Sequence, residues 1–300
     1  MRKAILLTPG PTQVPEEALA VASMPIMHHR TPQFEAIFAE VEEGLKYIFQ
    51  TKNPVLIFAS SGTGAMESSI VNTLSPGDKV IAVVGGKFGE RWAEIAKAYG
   101  LNLIQLDIPW DTAVKPDAIK KAIDENPDVK AVLTTLSETS TGATTDIKSI
   151  AEFTKNKDIL LIVDAISGLG VVDLKTDEWG VDVVLAGSQK GLMIPPGLAF
   201  VSISDKAKKF METSKLPKYY FDWKSSLKNL EKKTTPFTPG ISLIMQLNEA
   251  IKIIKEEGLE NVFARHSRLA KALRSAISAI GLELYNKDTG DACTAVKVPE

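Results

Sequence analysis

Seven short apolar runs, rich in β-branched residues, constrain this chain most: VLIFA (55–59), KVIAVV (79–84), LNLIQLD (101–107), KAVLTTL (130–136), ILLIVDA (159–165), DVVLAG (182–187) and LAFVSI (198–203). Several are continuous rather than alternating, as expected of strands covered on both faces. Helical patterns fill most of the intervals. Phe34, Ile37, Phe38, Val41, Leu45, Ile48 and Phe49 follow 3–4 spacing, and weaker helices fit 64–74, 89–99, 116–124 and 146–155. This alternation predicts an α/β fold, a mainly parallel sheet with helices on both faces. The functional residues of such a sheet are expected at the carboxyl ends of its strands.

At 300 residues the chain can bury about three quarters of its unfolded surface without covalent staples. Thirty-five Lys and Arg against 37 Asp and Glu leave a net charge of −2, so no global basic field exists to hold nucleic acid or an anionic membrane. The single cysteine, Cys293, forms no internal disulfide and suits a reducing compartment, with the cytoplasm as the default. The histidines are His28, His29 and His266; the adjacent pair is expected to point its rings apart, and no metal-ligand spacing is present. MRKAILL is too short for a signal-peptide core, and no run reaches the ~18 apolar residues of a membrane span.

From Ser214 to Gly240 periodicity is lost in a Lys-rich, Pro-punctuated excursion with at most one short helix, and two long helical patterns follow it. The expected organisation is an N-terminal segment (1–15), a large domain (16–255) and the start of a small C-terminal α/β domain (256–300). Strand-like LELYN and TAVKVPE fall in the last, which is expected to stop before it is complete.

Three strand ends carry complementary chemistry. VDVVLAGSQKG ends a strand in a small-residue turn bearing Lys190. ILLIVDAISG places Asp164 at the end of a buried strand, where a carboxylate needs a cationic partner. After VLIFA, the segment SSGTG offers the backbone N–H groups of Ser61, Gly62, Thr63 and Gly64 at a helix N-terminus, a natural phosphate cradle. It lacks the GK[ST] of a P-loop and the third glycine of GxGxxG. Pyridoxal 5'-phosphate has an aldehyde for the lysine, a ring nitrogen for the carboxylate and a phosphate for the cradle.

LLTPGPTQVP, YIFQTKNPVLIF, SSGTGAMES, NTLSPGDKV, GGKFGERW, SETSTG, LLIVDAISGLG, GSQKGLMIPPG and SDKAKKF together resemble the fold-type-I pyridoxal-phosphate enzymes of aminotransferase class V, closest to serine–pyruvate and alanine–glyoxylate aminotransferases. The resemblance implies that Lys190 captures the cofactor aldehyde and later moves a proton between substrate and cofactor, while Asp164 keeps the ring nitrogen protonated. It implies stacking by Phe88, phosphate binding by Ser61, Gly62, Thr63 and Gln189, and a contact from Thr139 to the ring's substituents. It further implies a homodimer in which Thr235 or Thr238 reaches the neighbouring subunit's phosphate. Pro11 and Thr12 would line the substrate pocket, whereas the family's arginine for the substrate carboxylate lies in a later segment than this chain reaches.

The expected activity is amino transfer from alanine or serine to glyoxylate or pyruvate by a ping-pong mechanism. Phosphonate aminotransferase or lyase chemistry, or a cofactor-binding relative without turnover, are the alternatives. Cys293 in GDACTAV invites a cysteine desulfurase reading, but its surroundings look like a strand entrance rather than a mobile loop.

Overall fold

Runs with no polar face to turn toward water are stable only inside a sheet covered on both sides. The computed structural model of the protein describes residues 5–299, which leaves the basic start (1–4) and Glu300 outside the described residues. All seven runs are strands of one sheet: β1 (Val55–Ala59), β2 (Lys79–Val84), β3 (Asn102–Asp107), β4 (Ala131–Thr135), β7 (Leu160–Asp164), β8 (Val183–Gly187) and β9 (Leu198–Ile203). A two-stranded hairpin, β5 (Ser137–Glu138) with β6 (Ala143–Thr144), lies apart from it. The helices are α1 (Glu16–Ala22), α2 (Pro32–Phe49), α3 (Gly62–Thr73), α4 (Lys87–Ala98), α5 (Pro116–Glu125), α6 (Ile147–Ala151), α7 (Thr176–Trp179), α8 (Asp205–Thr213), α9 (Trp223–Leu230), α10 (Ile241–Glu257) and α11 (Leu259–Ala279).

The sheet order is β1-β9-β8-β7-β4-β2-β3. Pairs β8–β7, β7–β4, β4–β2 and β2–β3 are parallel, and only β9 runs against its neighbours. Register places Asp164 opposite Thr135 on β4 and Leu185 on β8, so the carboxyl ends of the three central strands are level. Every residue of β4, β7, β8 and β9 is buried, which explains why their sequences do not alternate.

Local chemistry sets the helix boundaries. Thr31 caps α2 by accepting the Phe34 N–H, with Pro32 at the first helical position. The expected helix over 146–155 stops at Ala151; the Thr154 hydroxyl donates to the Ala151 carbonyl, a side-chain bond that competes with continuation. Helices α1, α7 and α8 and the β5–β6 hairpin are additions to the pattern read from sequence. LELYN and the described part of TAVKVPE, residues 294–299, do not form strands; only the isolated bridges Leu284–Val296 and Ala143–Thr289 appear among the described residues. A lone strand pair is marginal without further strands or a covering helix.

The excursion after α8 is anchored on α3. Asn72 donates to the Phe221 carbonyl at 2.6 Å and accepts the Trp223 N–H at 3.0 Å, while the Trp223 indole reaches Ser68 Oγ at 3.3 Å. The Lys218 ammonium donates to Val71 O at 3.0 Å, at the helix end where a cation is favoured.

At Gly44 of α2 a β-carbon would lie 2.3 Å from Cγ2 of Ile251 on α10. Gly44→Val should therefore cost about 1–3 kcal/mol by overpacking. Urea titration should show a lower midpoint, partly restored by adding Ile251→Ala; an unchanged midpoint would mean that the two helices separate without penalty.

Candidate active site

The central residue is Asp164, the last of β7 and 2% exposed. Its Oδ1 accepts the Ile166 N–H at 2.8 Å, and no salt bridge among the described residues reaches it. Burial pushes its pKa up to about 7; the Ile166 N–H pulls it back, the Glu138 charge adds to the rise, and Arg91 and Lys190 oppose it. A carboxylate in this state gains a great deal from a cationic hydrogen-bond donor.

Lys190 lies just past the end of β8, the strand next to β7. Burial lowers its pKa, while the charges of Asp164 and Cys293 act in the opposite sense. A lowered pKa increases the share of free amine, the form that attacks an aldehyde. The N-terminal segment lies against this lysine. Lys190 Nζ donates to the Pro9 carbonyl at 3.2 Å, and a β-carbon on Gly10 would come within 2.5 Å of both Cδ and Nζ. Next to Pro11, Thr12 binds the lysine's backbone: its N–H donates to Gln189 O at 3.0 Å and its hydroxyl to Lys190 O at 2.9 Å.

The SSGTG turn opens α3, with Ser61 as its N-cap residue and no side chain capping the helix; the Gly64 N–H expected in the cradle instead donates to the Ser61 carbonyl at 3.0 Å, closing the first turn. At Gly62 a β-carbon would lie 2.4 Å from Ile166 Cδ1, so the cradle closes directly onto the segment after Asp164. Arg91 joins cradle and ring platform, its guanidinium 3.3 Å from Thr63 Oγ1 and 4.9 Å from the centre of the Phe88 ring. Phe88 itself is half-buried in the first turn of α4.

Thr139 lies in the β5–β6 turn with its hydroxyl against that of Ser167. Its carbonyl faces the Cys293 thiol, Sγ to O 3.7 Å. Burial raises the Cys293 pKa, a stronger effect than the lowering by Lys190, and a protonated thiol is a poor nucleophile. The structure thus brings together Asp164, Lys190, Gln189, Thr12, Ser61, Gly62, Thr63 and Phe88. Thr235 and Thr238 stand apart, in a loop beside β1; Thr235 donates to Phe237 O at 2.6 Å, and no hydrogen bond among the described residues ties either threonine to the Lys190 cluster. The expectation that His28 and His29 point apart is corrected: their rings are tilted against each other with centroids 4.8 Å apart, because the turn before α2 folds both to one side.

Two charged residues of the site escaped the sequence reading. Arg91 stands one helical turn after Phe88, a spacing that signals contact. Glu138, buried beneath α4, gave no signal, since the helix N–H groups it accepts lie about fifty residues away in sequence.

The residues fit the cofactor expected from sequence. The desolvated Asp164 suits a ring N–H, the lowered Lys190 suits an aldehyde, and the N-terminus of α3, which no side chain caps, suits a phosphate. Sheet and site together define a fold-type-I pyridoxal-phosphate enzyme. The model of the aminotransferase class-V family matches residues 7–299, and the chain belongs to that family of pyridoxal-phosphate-dependent aminotransferases. It is 47% identical to the soluble hydrogenase small subunit of Synechococcus sp., over 98% of this chain and 78% of that protein. It is 40% identical to the L-aspartate–glyoxylate aminotransferase of Paracoccus denitrificans, over 98% of this chain and 76% of that one. Among solved structures, the alanine–glyoxylate aminotransferase of Nostoc sp. superposes with a TM-score of 0.93 at 29% identity, covering 100% of this chain and 81% of that one. No helix among the described residues is long and apolar enough to cross a membrane.

Asp164 makes the stability of the cofactor-free protein depend on pH. Its pKa rises from 3.8 unfolded to about 7 folded, so between these values the folded state holds more protons and stability falls as pH rises. The full displacement is worth on the order of 4 kcal/mol. Urea unfolding of cofactor-free protein from pH 5 to 7.5 should show this fall, and Asp164→Asn should flatten it. The same slope in wild type and variant would mean that Asp164 is charged throughout.

Proposed function

We propose that this aminotransferase moves an amino group from a small amino acid, alanine or serine, to a small 2-oxo acid, glyoxylate or pyruvate, in two ping-pong half-reactions. The observation that carries the reading is the placement of a buried carboxyl, Asp164, and an amine of lowered pKa, Lys190, at the carboxyl ends of adjacent parallel strands, close enough for the charge of each to act on the other. Glyoxylate is supported by the names of the Paracoccus and Nostoc proteins, which differ in amino donor. The hydrogenase name of the Synechococcus relative is not carried over, since the assembled residues serve amino-group chemistry.

Bound pyridoxal phosphate supplies an aldehyde and an electron-withdrawing ring. Lys190 would hold the aldehyde and, as a free amine, would take the proton from the substrate Cα and deliver it to the former aldehyde carbon on the far side of the nitrogen. Asp164 keeps the ring nitrogen protonated. Ser61, Gly62, Thr63 and Gln189 bind the phosphate, Phe88 stacks on the ring and Thr139 meets its substituents. Pro11 and Thr12, fixed on the backbone of residues 189 and 190, line the place where the small substrate sits.

A homodimer is part of this reading. Ile5, Leu7 and Ile26 near the amino end and Tyr219 in the excursion are large apolar side chains left exposed, Leu7 at 93% and Tyr219 at 83%. Apolar side chains left in water favour association with a second copy, and in that dimer Thr235 or Thr238 would reach the neighbouring subunit's phosphate. The single half-buried cysteine is compatible with a reducing cytoplasm.

Borohydride reduction of the cofactor-loaded protein should fix the label on Lys190 by peptide mapping, and a coupled assay should show alanine- or serine-dependent consumption of glyoxylate. Asp164→Asn should keep the label yet slow the single-turnover half-reaction at least about a hundredfold. Label on another lysine would overturn the assignment. Mixing Lys190→Ala subunits with Thr235→Ala/Thr238→Ala subunits should regenerate one intact cofactor site per dimer; a monomer by sedimentation would refute the shared site.

A further inference from the structure

Helix α4 begins at Gly86, a residue with no side chain to cap it, yet its first turn carries the ring that the site requires. The missing cap comes from another element. Glu138, at the end of β5 and 5% exposed, reaches beneath the helix. Its Oε2 accepts the N–H groups of Phe88 at 3.2 Å and Gly89 at 3.1 Å; its Oε1 accepts the Phe88 N–H at 3.3 Å, the Ser140 N–H at 3.3 Å and the Ser140 hydroxyl at 2.5 Å. Ser140 in turn accepts the Lys87 N–H at 3.0 Å. One buried carboxylate therefore gathers the free N–H groups of the turn that bears Phe88, where a negative charge is also favoured by the helix dipole.

The turn is closely packed at two glycines. At Gly89 a β-carbon would lie 2.5 Å from Val83 O, and at Gly86 one would lie 2.5 Å from Glu138 Cδ. Glycine at both places lets α4 settle onto β2 and onto the carboxylate at once. Arg91 lies near the Phe88 ring, 4.9 Å from its centre, so backbone and ring are each held by a charge.

We infer that Glu138 is a positioning residue for the aminotransferase reaction: its buried carboxylate fixes the first turn of α4 so that Phe88 presents its ring to the cofactor. The inference rests on the reading of Phe88 as the stacking residue. Glutamine at 138 keeps the size and one acceptor oxygen but replaces charge-assisted hydrogen bonds by neutral ones, and it turns an NH2 group toward backbone donors. Alanine removes every acceptor.

The test is a double-mutant cycle read by binding of pyridoxal 5'-phosphate and by the circular dichroism induced in the bound cofactor, which reports how the ring is held. Phe88→Ala alone should weaken binding and diminish the induced signal. In the Phe88 chain, Glu138→Gln should raise the dissociation constant about tenfold and Glu138→Ala should raise it further, with the induced signal falling in the same order. In the Phe88→Ala chain the same substitutions should add nothing. Should Glu138→Ala fail to fold, Glu138→Gln carries the test, with far-ultraviolet dichroism of the cofactor-free protein as the folding check. Unchanged binding and signal in Glu138→Gln, or an equal loss in both backgrounds, would overturn the role of Glu138 while Phe88 keeps its own. Wild-type binding and signal in Phe88→Ala would instead overturn the reading of Phe88, and the positioning role with it.

Discussion

A carboxylate withheld from water at the end of β7 makes the strongest demand in the molecule. Desolvation is the largest effect driving Asp164 toward its neutral form, and a hydrogen-bond donor or a positive charge nearby favours the ionised one. The surroundings supply charge of both signs. Lys190 and Arg91 stabilise the carboxylate, Glu138 disfavours it, and the sheet holds the strand ends level so that these effects act across short distances. A further cationic donor would hold the carboxylate in its ionised form, which makes the position suited to a cofactor whose ring nitrogen carries a proton.

Helix α3 links the site to the periphery. Its N-terminus offers the cradle N–H groups, and its C-terminal carbonyls receive the Lys218 ammonium of the excursion. Asn72 and Ser68, on the same helix, hold the backbone around Phe221 and the Trp223 indole. The excursion that bears Tyr219 and leads to Thr235 thus takes its position from the helix that also faces the phosphate. The excursion joins buried apolar anchors, Leu216, Trp223 and Leu230, to hydrogen bonds with buried polar groups, which are costly to leave unmade.

The strands were legible because burial on both faces writes itself as uninterrupted apolar sequence, and each of the seven runs is a strand within a residue or two. Lys190, Asp164 and the SSGTG turn stood out for a related reason: polar residues placed directly after such runs sit at strand ends. The β5–β6 hairpin was hidden, since its two-residue strands of Ser, Glu, Ala and Thr carry no period. Glu138 was hidden with it. Its bonds to α4 go to backbone N–H groups, which every residue but proline possesses, so no side chain of the helix betrays the pairing. In the last twenty residues the apolar pattern suggested strands, but a strand is a property of the pair, and only single bridges formed.

The reversed direction of β9 governs how far the lysine can travel. Had β9 run parallel, the chain leaving β8 would have continued through a long crossover. Running antiparallel, it returns within ten residues, and Ser188 closes the loop at its neck: its N–H donates to Leu198 O at 2.9 Å, its hydroxyl to Pro195 O at 2.8 Å, and its Oγ accepts the Leu198 N–H at 3.1 Å. Inside, the Met193 N–H donates to Lys190 O at 3.0 Å. The backbone beneath the amine is a closed ring stitched to two strands, and whatever reach the amine needs during a catalytic cycle comes from rotation about the four methylenes of its own side chain.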